Sequence, residues 1–406
     1  MMNSKKLSLK KLIKLTSLFL LATATLTSGA ASKVEKDWTF LIFLNGNNSL
    51  DSFGAGDINE MEAVGSTDNV NIVVQWASMS KTSVKRLLVQ KDTDFNVVTS
   101  PILEEMGAVD MGDWRKLVEF VAWGKANYPA KHYFIDIWNH GSGWHKKKSN
   151  GAIVIKDISS DDKTGNVITT EELGQAMSES AQILGQKVDI YGSDACLMAM
   201  AEVAGEMTNS VKIFVGSQEL EPGDGWDYRA FMQGWKDLGS EATPAAVAKV
   251  LTKTYLESYQ AGSQGNADVT LSAYDLEKTE SLNSAIQSFG KAFIESQATS
   301  VVLFKRALSS SQKFYYTDYV DLGDFVKNFS AIAPGFDSKI TNDLKLAIND
   351  FVISNEVSED YRNAQGLSVW IPNSSYGFEG RKARYAGLNF ARQSDWLNVL
   401  DIALKP

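Results

Sequence analysis

Reactive side chains are scarce in this chain, which has one cysteine and three histidines in 406 residues. The cysteine, Cys196, stands in Gly192-Ser193-Asp194-Ala195-Cys196-Leu197-Met198, after an apolar run at 188–191 and before an Ala/Met/Glu-rich stretch. That predicts a place between a buried strand and a helix start, where a helix N-terminus favours the thiolate, the nucleophilic form. His140 stands in Asn139-His140-Gly141-Ser142-Gly143-Trp144, directly after a second strand candidate at 132–138. In an open parallel sheet the carboxyl ends of the strands share one crevice. A histidine and a cysteine at two such ends could therefore meet as acid–base partner and nucleophile. Each also has a plainer use, since a lone cysteine packs as a small hydrophobe and a lone histidine makes structural hydrogen bonds. Spacing alone leaves both uses open.

Metal chemistry fits less well. His132, His140 and His145 include no pair at the three-residue gap that puts two imidazoles on one helix face, and a single cysteine excludes a thiolate-rich site. Asp157, Ser159 and Asp161 imitate the start of a calcium loop, but Asp162 replaces the required glycine and Ile168 the bidentate acid. A solvated acidic turn is the better reading, and no cofactor is required.

Such a pair must be held by elements, and the pattern of the chain supplies them. Short β-branched runs at 38–44, 71–76, 84–89, 132–138, 152–155, 188–191, 211–215 and 269–274 alternate with amphipathic segments. This predicts an α/β fold with a largely parallel central sheet, covered by helices on both faces. Trp114, Leu117, Val118 and Val121 recur at helical spacing ahead of Pro129. Thr169 with Glu172 makes a capping box for a second helix, and Thr243 before Pro244 opens a third. From about residue 276 the pattern is mainly helical, with one late strand at 367–371. The expected division is a domain at 32–275 with a helical region, 276–406, packed on it.

Ahead of these lies a segment of another kind. Residues 1–31 carry five lysines and no acid, then a mostly apolar run at 15–26, then Ser28-Gly29-Ala30-Ala31. Basic start, short apolar core and small-residue end read as a secretory signal peptide, and Thr16, Thr23 and Thr25 interrupt the run too often for a membrane anchor. Its removal takes five positive charges from a chain of net charge −9, leaving −14. An acidic, exported protein follows, with no nucleic-acid partner and membrane contact only during export.

At these residues the sequence resembles the clostripain family of cysteine peptidases, which share the caspase-like fold. The blocks that carry the resemblance include Asn139-His140-Gly141, Asp194-Ala195-Cys196, Phe43-Leu44-Asn45-Gly46-Asn47-Asn48-Ser49-Leu50 with Asp57 to Met61, and Glu221-Pro222-Gly223-Asp224-Gly225-Trp226. Later ones are Tyr319-Val320-Asp321-Leu322 and Gly366-Leu367-Ser368-Val369-Trp370-Ile371-Pro372.

The resemblance implies a three-layer α/β/α sandwich and a Cys/His dyad endopeptidase. Cys196 attacks the scissile carbonyl to give a thioester, and His140 protonates the leaving amine and then activates water. The backbone N–H groups of Gly141 and Cys196 would receive the oxyanion. Cleavage after Arg or Lys is implied, with Asp194 as the specificity acid and Asp224 as a second; the competing use of each is a turn or cap residue. Family members are often cut into two associated chains, which points to self-cleavage after Lys146, Lys147 or Lys148, with Lys156 or Lys163 in reserve, unless these lysines only solvate a loop. Members differ in calcium dependence, so calcium stays open. The rival functions are a non-catalytic surface-binding protein on the same fold and a related peptidase with Asn or Asp specificity.

Overall fold

The computed structural model describes residues 34–144, 147–149, 152–154 and 157–405, with backbone alone at 147–149 and 152–154. The signal-peptide segment, His145, Lys146 and Lys156 lie outside the described residues. Residues 34–405 fold as one unit, and a nine-stranded sheet runs through it.

The strands are β1 (Lys36–Gly46), β2 (Val70–Ser78), β3 (Lys85–Leu88), β4 (Ile102–Glu105), β5 (Ala130–Trp138), β6 (Lys147–Ser149), β7 (Ala152–Val154), β8 (Val188–Asp194), β9 (Val211–Gly216), β10 (Gln260–Gly262), β11 (Gly265–Asn266), β12 (Thr270–Asp275), β13 (Tyr319–Asp321), β14 (Val352–Val357) and β15 (Ser368–Trp370). The helices of the first part are α1 (Asp51–Glu62), α2 (Trp114–Asn127), α3 (Thr170–Leu184), α4 (Ala201–Met207), α5 (Tyr228–Leu238) and α6 (Pro244–Ser258). The later ones are α7 (Thr279–Glu295), α8 (Gln297–Ser310), α9 (Leu322–Ile332), α10 (Ser338–Phe351), α11 (Ser375–Tyr385), α12 (Asn389–Ser394) and α13 (Trp396–Ala403).

The order across the main sheet is β14-β12-β9-β8-β5-β1-β2-β3-β4. Its five central strands, β9 to β2, are parallel. Both margins are antiparallel. Successive residues of β1 face opposite ways, as strand geometry requires. Leu41 and Phe43 join a core with α2, α3 and α4. Phe40, Ile42 and Leu44 join another with α1, α5 and α6. That is why the central runs read as apolar on both faces, with only single polar interruptions, and it makes the three layers. Phe40 is fully buried with its ring 4.4 Å from Phe134, so truncation to alanine there would cost about 3–5 kcal/mol.

The predicted caps form. Thr169 and Glu172 close a capping box on α3, and Thr243 caps α6 with Pro244 at its first turn. Helices α7 to α13 extend the core on the α2–α4 face. The chain also returns to the sheet after residue 276, because β14 adds to the margin beside β12.

Candidate active site

Strands β5 and β8 are hydrogen-bonded neighbours, and their register pairs Trp138 with Asp194. His140 and Cys196 each lie two residues beyond that pair, so they leave the sheet at one level on adjacent strands. The N–H of Asn139 donates to the carbonyl of Asp194 at 3.1 Å, and a Cβ on Gly141 would sit 2.4 Å from the carbonyl oxygen of Cys196. Only glycine lets the two loops approach so closely. Next along, Leu44 of β1 pairs with Trp138, and the turn after β1 brings Ser49 Oγ to 2.9 Å from His140 Nε2. Three adjacent parallel strands thus supply the cysteine, the histidine and a partner for the histidine.

Buried asparagines fix this end of the sheet. Asn139 Nδ2 donates to the Asn45 carbonyl at 2.6 Å, and Asn139 Oδ1 accepts the N–H of Ser160 at 2.8 Å. Asn48 Nδ2 donates to the Ser160 carbonyl at 2.9 Å. The Asn-rich block after β1 therefore ties the His140 loop to the 157–161 loop.

The expected helix N-terminus at Cys196 is absent. α4 begins at Ala201; the intervening residues pair instead with the chain after β9, through Leu197 N–H to the Glu219 carbonyl and Ala199 N–H to the Ser217 carbonyl. Leu197 takes φ +65°, a left-handed conformation that costs a branched side chain roughly 1–2 kcal/mol. The thiol is half-buried, and burial pushes its pKa up. The Glu221 N–H, 3.3 Å from Sγ, opposes that rise, while the charges of Asp194 and Glu219 add to it. Sγ–H faces the Glu221 carbonyl at 3.8 Å.

Asp194 is buried beside the thiol. Tyr228 Oη donates to it at 2.9 Å and the Trp226 N–H at 3.3 Å. A Cβ on Gly225, whose φ is +58°, would meet its Oδ1 at 2.8 Å. Burial raises its pKa to about 6, opposed by the neighbouring Glu221 carboxyl and by the hydrogen bonds from Tyr228 and Trp226. Asp136 also accepts from Tyr228 Oη, at 3.0 Å. Burial raises Asp136, Asp57 and Glu221 well above the carboxylate range, and the Asp194 charge adds to each.

Asp224 takes a different position. It is exposed on the rim of a cavity of about 530 Å³ lined also by Phe53, Asp57, Glu60 and Arg229. Asp57 feels the charges of both Asp194 and Asp224, so the two predicted acids are linked through a third. Sequence reasoning gave Asp136, Asp57 and Glu221 no role; an acid inside the apolar run Tyr133-Phe134-Ile135-Asp136-Ile137-Trp138 was the available signal.

The other predicted positions are engaged differently. Lys147 and Lys148 lie on β6, paired antiparallel with β7. Lys163 Nζ donates to the carbonyls of Ser78 and Lys81, both at 2.7 Å. The acidic loop is not the solvated turn expected: Asp157, Ser159 and Asp161 are buried, and Asp161 accepts from Asn47 Nδ2 and from the N–H groups of Met111, Lys163 and Thr164. Asp157 accepts from Thr170 and Arg384. Among the described residues no group of three or more His, Cys, Asp or Glu is arranged to hold a metal ion.

A parallel-centred sheet between two helical layers, with His140 and Cys196 just beyond the carboxyl ends of β5 and β8, is the caspase-like class of α/β fold. The chain belongs to the clostripain family, peptidase family C11, whose profile matches residues 42–402. It is 26% identical over 340 residues to clostripain of Hathewaya histolytica, an alignment covering 72% of this chain and 62% of that protein; the chain thus spans less than two thirds of the relative's length. A solved secreted C11 cysteine protease from Bacteroides thetaiotaomicron, in complex with an irreversible peptide inhibitor, superposes with a TM-score of 0.68 at 22% identity, over 89% of this chain and 99% of that one. An inactive zymogen C11 protease from Parabacteroides distasonis gives 0.67 at 18% identity, with the same coverage. These likenesses establish the shared fold.

Proposed function

We propose that the protein is an exported cysteine endopeptidase that cuts protein or peptide chains after Arg or Lys through Cys196 and His140. The observation that carries this reading is the pairing of Trp138 with Asp194, from which the His140 and Cys196 loops leave adjacent parallel strands at one level. Family membership supports the reaction class, and the relative's name and the inhibitor-bound neighbour agree with it. Because burial raises the Cys196 thiol, the resting side chain is the thiol, and its proton passes to His140 as Sγ bonds to the scissile carbonyl carbon. The N–H groups of Gly141 and Cys196 receive the oxyanion. His140 returns the proton to the amine as the C–N bond breaks, leaving a thioester. It then takes a proton from water as the water oxygen bonds to the thioester carbon; the C–S bond breaks, His140 returns the proton to Sγ, and the carboxylic acid product leaves and ionises.

Asp194 takes the guanidinium or ammonium of the residue before the cut, a charge-assisted contact that is bidentate for Arg, and Asp224 supplies the rim. The acids around the thiol do not suit an Asn/Asp pocket. Export rests on the signal-like residues 1–31, and secretion is stated for the Bacteroides neighbour. Maturation by self-cleavage within 146–148, or at Lys156 or Lys163, fits a family with a solved zymogen; Lys163 is exposed, with its Nζ held by the Ser78 and Lys81 carbonyls. No metal takes part in this scheme.

A reporter-peptide panel with Arg, Lys, Asn, Asp or Ala before the cut tests the proposal. Cleavage of Arg and Lys peptides alone, abolished in Cys196→Ala, is expected. Turnover of Asn or Asp peptides would replace the specificity, and no turnover of any peptide by the matured chain would favour the binding-protein alternative.

A further inference from the structure

The residues flanking the lysine-bearing segment converge on one side chain of the C-terminal region. Arg384, on α11, donates from Nη1 to the carbonyl of Trp144 and from Nη2 to the carboxylate of Asp157. Its Nη1 also lies 3.4 Å from Asp157 Oδ1. Nε and Nη2 grip Glu171, in the first turn of α3, at 2.9 and 2.5 Å. Trp144 precedes the segment and Asp157 follows it, so one guanidinium holds both of its ends. Backbone pairing closes the same base, because Ser142 N–H donates to the Asp157 carbonyl at 2.9 Å and Gly141 bridges Ile158. The Trp144 ring is wedged between Trp370 and Tyr385 at 4.9 and 5.1 Å, and Tyr319 Oη donates to the Ser142 carbonyl at 2.6 Å. Asp157 is fully buried, and the guanidinium is mostly so; a pair of this kind is costly to break from one side.

We propose that Arg384 is a positioning residue that staples the base of the 145–156 segment, fixing the His140 loop and joining the two chain ends once the segment is cut. The second half rests on the self-cleavage reading; the first does not. In the intact chain, the continuous backbone and the Gly141–Ile158 bridge share the task with the staple. In a cut chain the covalent link is gone, so the same loss must matter more.

The test uses the full chain carrying a recognition sequence for an unrelated site-specific protease between Asn150 and Gly151, so that a cut can be made whether or not the protein cuts itself. Arg384→Gln and Arg384→Lys are compared before and after that cut. The expected loss for Arg384→Gln is about tenfold in kcat on an Arg peptide when intact and about a hundredfold when cut, with KM little changed, because misplacing a catalytic loop acts on the chemical step. Both cut forms should hold together on size exclusion, because the β5–β8 pairing and both cores cross the cut, but the cut variant should melt below the cut wild type. Arg384→Lys should recover part of the loss, having one charge but no fork. Equal losses in intact and cut forms would overturn the staple, and a rise in KM alone would place Arg384 in substrate binding. If Arg384→Gln does not fold, Asp157→Asn asks the same question from the other side, since the amide oxygen still accepts from Thr170. Sequencing of the unengineered chain scores self-cleavage separately.

Discussion

Replacing Asp194 by Asn should make the protein more stable at alkaline pH while removing its taste for basic side chains. Burial lifts this carboxyl from 3.8 to about 6. An acid whose pKa is raised by folding contributes stability that is fully present below its unfolded pKa and lost as pH rises through the folded value. The shift is about two units, so holding Asp194 charged at pH 8 costs about 3 kcal/mol. Asn does not titrate. Its amide oxygen still accepts from Tyr228 and Trp226, and its NH₂ gives Asp136 and Glu221 a donor. The melting temperature of Asp194→Asn should therefore match the wild type near pH 4 and exceed it at pH 8, by up to that amount in free energy. Activity should move the other way. Losing one partner of a desolvated charge pair costs about 3–5 kcal/mol, or roughly 10²- to 10⁴-fold in kcat/KM on Arg and Lys peptides. A peptide with an uncharged residue at that position should change less than about threefold. Thermal melts at the two pH values and kinetics on the two substrate types decide it. Destabilisation of equal size at both pH values, with equal losses on all substrates, would refute the reasoning and leave Asp194 a structural residue.

Other substitutions test single links in the scheme. Cys196→Ala should abolish turnover while leaving the melting temperature within a few degrees; retention of near wild-type rate would end the thiol mechanism. His140→Ala should cost nearly as much, and His145→Ala little; the reverse ranking in single-turnover assays would move the acid–base role. Ser49→Ala removes the 2.9 Å contact to His140 Nε2; a hydrogen bond is worth about 1 kcal/mol, so kcat should fall about five- to tenfold with KM unchanged, and an unchanged kcat would show that the contact does not orient the ring. Asp224→Asn, on the exposed rim, should lower kcat/KM for basic peptides by less than about tenfold; a loss as large as that of Asp194→Asn would reverse the roles of floor and rim.

How much of this could be read from the sequence follows from the range of the forces involved. The five parallel strands announce themselves because each buries both faces and so carries a largely apolar run, broken only by single polar residues such as Asp136 and Asp189. The caps at Thr169 and Thr243 are legible because a cap is settled within four residues. β14 is not, since its middle, Ser354-Asn355-Glu356, is polar and only half-buried. β4 is exposed along its whole length, and neither margin strand needs an apolar signature. The helix start expected at Cys196 fails for a related reason: residues 197–199 find extended partners at Ser217 and Glu219, and tertiary pairing overrides the local helical composition.

The site divides along the same line. His140 and Cys196 could be picked out because a scarce residue in a glycine-bearing turn at a strand end is a local signal. What tunes them is not local. Ser49 reaches His140 across 91 residues, Tyr228 bridges Asp136 and Asp194 across 92 and 34, and Arg384 reaches Asp157 across 227. Each contact exists only once the strand order is fixed, and the order is set by which apolar faces pair, not by the residues in contact. A register of two strands is therefore the smallest fact that turns a list of reactive residues into a mechanism. Trp138 beside Asp194 does this here: slide β8 by two residues and Cys196 would sit some 6–7 Å along the strand axis from its present level, beyond the reach of a proton transfer to His140, with every residue type in the sequence unchanged.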